Sequence, residues 1–153
     1  VFFQTNGIKW SYEPNAFRIV RINYLPDFHL PLHNIFIEIK PKDSQLADYL
    51  ACELAILTDS SCVLLIGDPF PFEYEAVLYT TELSRALPIT IWRGGQLAKC
   101  RRCDGICFVG NPDLEGGLDW CELGPHTCGD HDRKPLVFGE EAFKSARSMR
   151  FHG

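Results

Sequence analysis

Two short stretches carry the side chains best suited to chemistry on a charged substrate: Tyr24-Leu25-Pro26-Asp27-Phe28 and Ile35-Phe36-Ile37-Glu38-Ile39-Lys40-Pro41. Alternation in the second predicts a β-strand with Ile35, Ile37 and Ile39 on one face and Phe36, Glu38 and Lys40 on the other. Burial of the isoleucine face fixes the register, so Glu38 and Lys40 are held side by side. Asp27 comes from the strand before. Because Pro26 has no amide donor, Asp27 is expected at a strand end or bulge, where a side chain is readily re-aimed. Two carboxylates at one point repel unless a cation lies between them. Mg²⁺ accepts one or two carboxylates together with waters and a substrate phosphate. Held by Asp27 and Glu38, it would activate water and neutralise charge on a phosphate, with Lys40 orienting the water or stabilising the transition state. The simpler account is a Pro-Asp turn and a solvated Glu-x-Lys pair that contributes little. The coincidence of both features on neighbouring strands favours the chemical reading.

The elements that must position these residues follow from pattern and punctuation. Val1 to Asn6 reads as the last turn of a helix stopped by Gly7, and Ile8 to Tyr12 as an entry into the sheet. Phe17 to Tyr24 alternates as one strand. After Lys40 the period changes to about 3.6 residues. Asp43 or Ser44 caps a helix to about Leu57, with Leu46, Leu50 and Leu54 on its buried stripe, and Thr58 to Ser61 ends it. Gln45 falls in the first turn as an ordinary exposed residue. Cys62 to Gly67 is an apolar run that reads as a buried central strand, reached by a right-handed crossover that places it in the sheet of Glu38. Cys52 and Cys62 are then core fillers, not nucleophiles. Beyond a strand near Glu75 to Tyr79, residues 68–87 carry no clear pattern. Ile89 to Arg93 reads as a strand, Gly94-Gly95 as a hairpin-like turn into Gln96 to Lys99, and Glu140 to Arg150 as a closing helix with Ala142, Phe143, Ala146 and Met149 buried.

A second constellation is Cys100-Arg101-Arg102-Cys103-Asp104-Gly105, a Cys-x-x-Cys-x-Gly turn in which two thiolates converge and the glycine accepts the backbone twist. Seventeen residues separate Cys103 from Cys121, and Cys128 follows. This predicts a structural Zn²⁺ held by Cys100, Cys103, Cys121 and Cys128. Cys107, His126 and His131 compete for the fourth position. Free or core cysteines are the simpler account; a redox pair is disfavoured because no helix follows Cys103. A loop-rich unit of this size generally needs a metal or bridges to stay folded. Residues 99–134 are therefore expected to form a zinc-binding insertion in a core made of residues 1–98 and 135–153.

Composition sets the bounds. The chain has 153 residues, 46% hydrophobic and 23% charged, as expected of a globular domain with its own core. No run reaches the length of a membrane span and the start does not resemble a signal peptide. Seven cysteines, five of them between Cys100 and Cys128, fit a reducing, cytoplasmic setting better than a disulfide framework. The opening on Val1-Phe2-Phe3 points to a fragment of a longer chain. Net charge is −5, against a large basic face. The balance is uneven: residues 1–84 hold 5 basic and 11 acidic side chains, residues 85–153 hold 10 and 9. Contact with nucleic acid would draw on Lys99, Arg101 and Arg102 and on Lys144, Arg147 and Arg150, which otherwise form solvated faces or complement a helix end.

The sequence resembles the PD-(D/E)XK nuclease superfamily, in particular small phage and prophage enzymes of the Tyr-x-Pro-Asp-Phe-x-Leu-Pro … Glu-x-Lys type. The resemblance runs through Trp10-Ser11-Tyr12-Glu13-Pro14, Tyr24 to Pro31, Ile37 to Pro41 and Ala146 to Phe151. It implies an α/β fold with a restriction-endonuclease-like core, a central mixed sheet flanked by helices, here carrying a small zinc-ribbon-like unit. It further implies Mg²⁺-dependent hydrolysis of DNA phosphodiesters, with Asp27 and Glu38 as ligands and Lys40 as the catalytic lysine. Such proteins usually begin with a helix that brings another acidic residue to the metal, and this chain starts inside that helix. The alternative is a non-catalytic relative that binds nucleic acid or supports assembly, stabilised by zinc. A zinc-stabilised interaction module unrelated to nucleases is a third reading.

Overall fold

The computed structural model describes residues 2–5, 7–68, 73–81, 90–99, 106–109 and 136–137. They form a mixed α/β arrangement. A short helix, α1 (Phe2–Thr5), precedes β1 (Ser11–Tyr12), β2 (Phe17–Ile19), β3 (Ile22–Tyr24), β4 (Phe28–Leu30) and β5 (Ile35–Lys40). Then come α2 (Gln45–Thr58), β6 (Ser61–Asp68), β7 (Glu73–Thr80), β8 (Thr90–Lys99), β9 (Ile106–Val109) and β10 (Leu136–Val137). The main sheet runs β1-β4-β5-β6-β7-β8-β10, with β9 also paired to β8, and only β5 and β6 are parallel. A parallel pair needs a crossover, and α2 supplies it.

Alternation along β5 builds both sides of the sheet. Ile35 and Ile37 pack with Phe3, Ile8, Leu30, Val63, Ala76 and Leu78 on one face. Phe36 packs on the other face with Ile19, Tyr24, Leu64, Val77 and the inner side of α2. That side is Ala47, Leu50, Ala51, Leu54 and Ala55, while Leu46 stands 56% exposed. The expected Leu46-Leu50-Leu54 stripe is thus rotated, because three alanines let the helix approach the sheet closely on their own side. The helix ends are capped as their residues dictate. Ser44 Oγ accepts the Ala47 N–H at 3.0 Å, and Asp59, left-handed at φ 49°, closes the last turn by donating to the Ala55 and Ile56 carbonyls.

Two expectations are corrected. Phe17 to Tyr24 is not one strand but a hairpin, β2 and β3, paired Phe17 to Tyr24 and Ile19 to Ile22 around Val20 and Arg21. Val20 adopts φ 54° and is exposed, and the reversal brings Ile19 and Tyr24 into the same buried cluster beneath α2. Gly94-Gly95 is not a turn either. It lies inside the continuous strand β8, where the register passes from Val77–Arg93 to Ala76–Gly95 and skips Gly94, a bulge that a glycine accommodates without a side chain to place. Gly7, at φ +69°, does stop α1, its N–H donating to the Gln4 carbonyl at 3.0 Å.

Candidate functional site

Asp27 sits in the bend between β3 and β4, directly after buried Pro26. Its main chain and one carboxylate oxygen are engaged. Its carbonyl accepts the Glu13 N–H at 2.9 Å, its N–H donates to Glu38 Oε2 at 3.1 Å, and its Oδ2 accepts the Ile39 N–H at 2.7 Å. Glu13 makes its bond from a left-handed backbone at φ 43°. For a residue with a Cβ that conformation is strained, and it persists here in a position that pins the Asp27 main chain.

Glu38 is delivered from the other side. β5 pairs with β4 and with β6, so its backbone is fixed along both edges, and Glu38 lies opposite Leu64 on the face beneath α2. Only 2% of the residue is exposed. A buried carboxylate persists only when its charge is answered, and here Lys40 Nζ forms an ion pair with Glu38 Oε1 while the Asp27 N–H holds Oε2. The Lys40 side chain is 38% exposed, so the ammonium is the part of the network that faces solvent. The three residues picked out by pattern are therefore together, Asp27 and Glu38 each held by an N–H from the other's segment.

One neighbour went unrecognised as part of this cluster. Tyr24, 6% exposed, ends β3 with its hydroxyl buried against the Glu38 carboxylate but without a well-formed hydrogen bond. Burial first, then the fields of the Cys62 sulfur and of Glu38, the close approach of the Glu38 carboxylate to the hydroxyl and the field of Asp27 push that hydroxyl far above its ordinary value. Cys62, fully buried on the same face, is raised by burial and by Glu38 and Cys52, which leaves it protonated and inert as a nucleophile. The signal that could have found Tyr24 is its place three residues before Asp27, with Pro26 between, in a segment too short to turn it away from the carboxylates.

A second polar cluster was also missed. At the N-terminus of α2, Asp48 accepts the Tyr79 hydroxyl on Oδ1 and Arg93 Nη2 at 2.7 Å on Oδ2. Arg93 Nη1 also lies 3.6 Å from Asp43 and 4.0 Å from Glu75. Tyr79 is buried, and burial and then Asp48 raise its hydroxyl well above the ordinary range. No local signal announces these contacts, which join residues 31 and 45 positions apart.

The donor set at Asp27 and Glu38 fits a small, hard divalent cation: two preorganised carboxylates, with a buried hydroxyl left unpaired beside them. Among the described residues no group of three or more His, Cys, Asp or Glu side chains could hold a metal ion. A depression of about 660 Å³ bounded by Gln4, Gly7, Ile8, Lys9, Trp10 and Pro31 includes none of the three site residues. Cys100, Cys103, Cys121 and Cys128, with His126 and His131, lie outside the described residues, as do Lys144, Arg147 and Arg150 and the closing helix. Of the expected insertion, β9 pairs Cys107 with Ala98 of β8. No helix among the described residues is long and apolar enough to cross a membrane. Comparison with known proteins gives no matching family model, no matching curated protein and no matching solved structure.

Proposed function

We propose that the chain is a Mg²⁺-dependent DNA endonuclease of the PD-(D/E)XK kind, working in a reducing, cytoplasmic setting, with Asp27 and Glu38 as the metal ligands and Lys40 at the reacting centre. The observation that carries this reading is the exchange of main-chain hydrogen bonds between the two acids: the Asp27 N–H to Glu38, and the N–H beside Glu38 to Asp27. Carboxylates fixed in this way stand side by side, a cation being received once Lys40 leaves Glu38 Oε1, and fixed charge is the larger part of what catalysis at a phosphate requires. When bound, Mg²⁺ supplies Lewis acidity toward the phosphodiester and activates water for attack. The residues do the rest. Asp27, tied down through its N–H, carbonyl and carboxylate, orients one donor. Glu38 brings a charge from a nearly dry position, where electrostatic interactions are stronger than in water. Lys40 neutralises Glu38 in the free protein, and from its half-exposed place its ammonium is free to turn toward phosphate charge.

The test is cleavage of supercoiled plasmid in Mg²⁺. Lys40→Ala should lose at least about 100-fold in rate, the scale for a group that stabilises transition-state charge, while circular dichroism shows the fold retained. Activity equal to the parent's removes the lysine from the reaction. A second reading, a non-catalytic nucleic-acid-binding or assembly protein with this fold, is favoured by the burial of Glu38 and the engagement of both its oxygens. A form extended at its N-terminus that binds DNA but cleaves none of supercoiled, linear or junction DNA at any divalent metal concentration would establish it.

The proposal includes a structural Zn²⁺ on Cys100, Cys103, Cys121 and Cys128, with Cys107, His126 and His131 as competitors for the fourth place. Elemental analysis of chelator-washed protein should return about one zinc per chain. Metal-free protein of equal stability would defeat it.

A further inference from the structure

We propose that Tyr24 is a positioning residue for Glu38: when the carboxylate turns from Lys40 toward a divalent cation, the Tyr24 hydroxyl donates a hydrogen bond to it and holds it there. This rests on the reading of Asp27 and Glu38 as a cation site. The argument begins from an imbalance. Glu38 Oε1 is taken by Lys40 and Oε2 by the Asp27 N–H, whereas the buried Tyr24 hydroxyl, close against this carboxylate, has no well-formed hydrogen bond. A buried phenol without a partner is unfavourable, and side chains of this kind are nearly always satisfied. Tyr24 is not left so for want of rigidity. Its backbone is paired to Phe17 across the β2-β3 hairpin, and its ring is packed in the cluster beneath α2.

The neighbouring geometry says which partner is missing. Nothing in the apolar cluster around the ring can accept a hydrogen bond better than a carboxylate, and the carboxylate that acts most strongly on the Tyr24 hydroxyl is Glu38, whose partner Lys40 is a half-exposed side chain able to leave. Asp27 is the weaker candidate, because its Oδ2 and its carbonyl are committed to Ile39 and Glu13 and its field at the hydroxyl is smaller than that of Glu38. Departure of the ammonium would free Oε1, and the hydroxyl would then be fully satisfied in the cation-loaded arrangement. The orphaned phenol thus penalises the free state and favours the loaded one.

The experiment measures Mn²⁺ binding to the full chain without DNA, by calorimetry and by the loss of the free-ion paramagnetic signal. Glu38→Gln should abolish binding, which locates the ion. Tyr24→Phe, which keeps the ring, should weaken it about tenfold, the size expected of one hydrogen bond to a charged group. Tyr79→Phe, a buried tyrosine whose hydroxyl already has Asp48, should leave the affinity unchanged. Mn²⁺ should also perturb the tyrosine near-ultraviolet absorbance of the parent and not of Tyr24→Phe. That spectral change does not depend on the variant's stability. Equal affinity of the parent and Tyr24→Phe, or an identical spectral response, overturns the role of Tyr24 alone. A parent that binds no Mn²⁺ overturns the cation site and this inference together.

Discussion

Two polar clusters share one face of the sheet and are built on opposite terms. Glu38 pairs with Leu64, Leu64 with Val77 and Val77 with Arg93, so Glu38 and Arg93 stand at one height, about 14 Å apart by the spacing of neighbouring strands. At the Arg93 end every hydroxyl and carboxylate oxygen that is buried has a partner: Tyr79 and Arg93 occupy the two oxygens of Asp48, and α2 is thereby tied to β7 and β8. At the Glu38 end an acid is buried more deeply than Asp48, and the nearest phenol has no well-formed hydrogen bond. The first arrangement satisfies each group and so contributes to stability. The second holds charge ready and leaves a group unsatisfied, the pattern of a site whose partner comes from outside.

Breaking the satisfied cluster should have the largest effect on folding. Asp48→Ala leaves the Tyr79 hydroxyl buried without an acceptor and Arg93 with only distant, exposed carboxylates, and should lower stability by about 2–3 kcal/mol in urea unfolding. Its affinity for Mn²⁺ should not change, since no atom of Asp48 meets Asp27 or Glu38. Loss of both together would mean that the two clusters act as one unit.

A smaller effect sharpens the contrast by treating the same atom in both places. Tyr79→Phe removes a hydrogen bond to a charged acceptor and should cost about 1.5 kcal/mol. Tyr24→Phe removes a hydroxyl that bonds to nothing and should leave stability unchanged or raise it by up to about 1 kcal/mol. Equal losses in thermal melts would show that Tyr24 is satisfied in the free protein and dissolve the distinction.

The same contrast explains which parts of the molecule were legible in the sequence. Glu38 and Lys40 were readable because their placement is local: Ile35 and Ile37, buried at alternate positions, fix the register of a six-residue strand, although Ile39, expected on the same buried face, is exposed and Phe36 and Glu38 on the other face are buried. Asp27 could be joined to them because only a short link separates β4 from β5. Ser44 as a cap and the parallel β6 were likewise readable from neighbouring residues. The hairpin at Val20-Arg21 was not, since neither residue is a usual turn former and the reversal is driven by what Ile19 and Tyr24 bury. The bulge at Gly94 was not, because a glycine pair reads equally as a turn. The outward rotation of Leu46 depends on three alanines whose size matters only against the sheet. Asp48, Tyr79 and Arg93 are each unremarkable in place, as a first-turn acid, a strand aromatic and a strand cation, and acquire a role only when two strands and a helix are assembled.

The finest comparison is an alkaline titration, because burial raises both phenols and the Cys62 thiol above their ordinary values of 10.0 and 9.0. In the unfolded chain these groups ionise near those values, while in the folded protein they stay protonated. Between the two limits the native state binds more protons, so stability falls as pH rises. The stabilisation is complete below about pH 9, and its loss begins with Cys62 and continues with the tyrosines above about pH 10. Each group steepens the decline by at most about 1.4 kcal/mol per pH unit. Tyr24→Phe and Tyr79→Phe should each make the curve shallower by a similar amount above pH 10, although they differ below it. Burial is the largest cause of the shift at both residues, whereas a well-formed hydrogen bond is present at only one. A Tyr24→Phe curve parallel to the parent's would mean that this phenol ionises in the folded protein, and so has access to water that its burial beside Glu38 denies it.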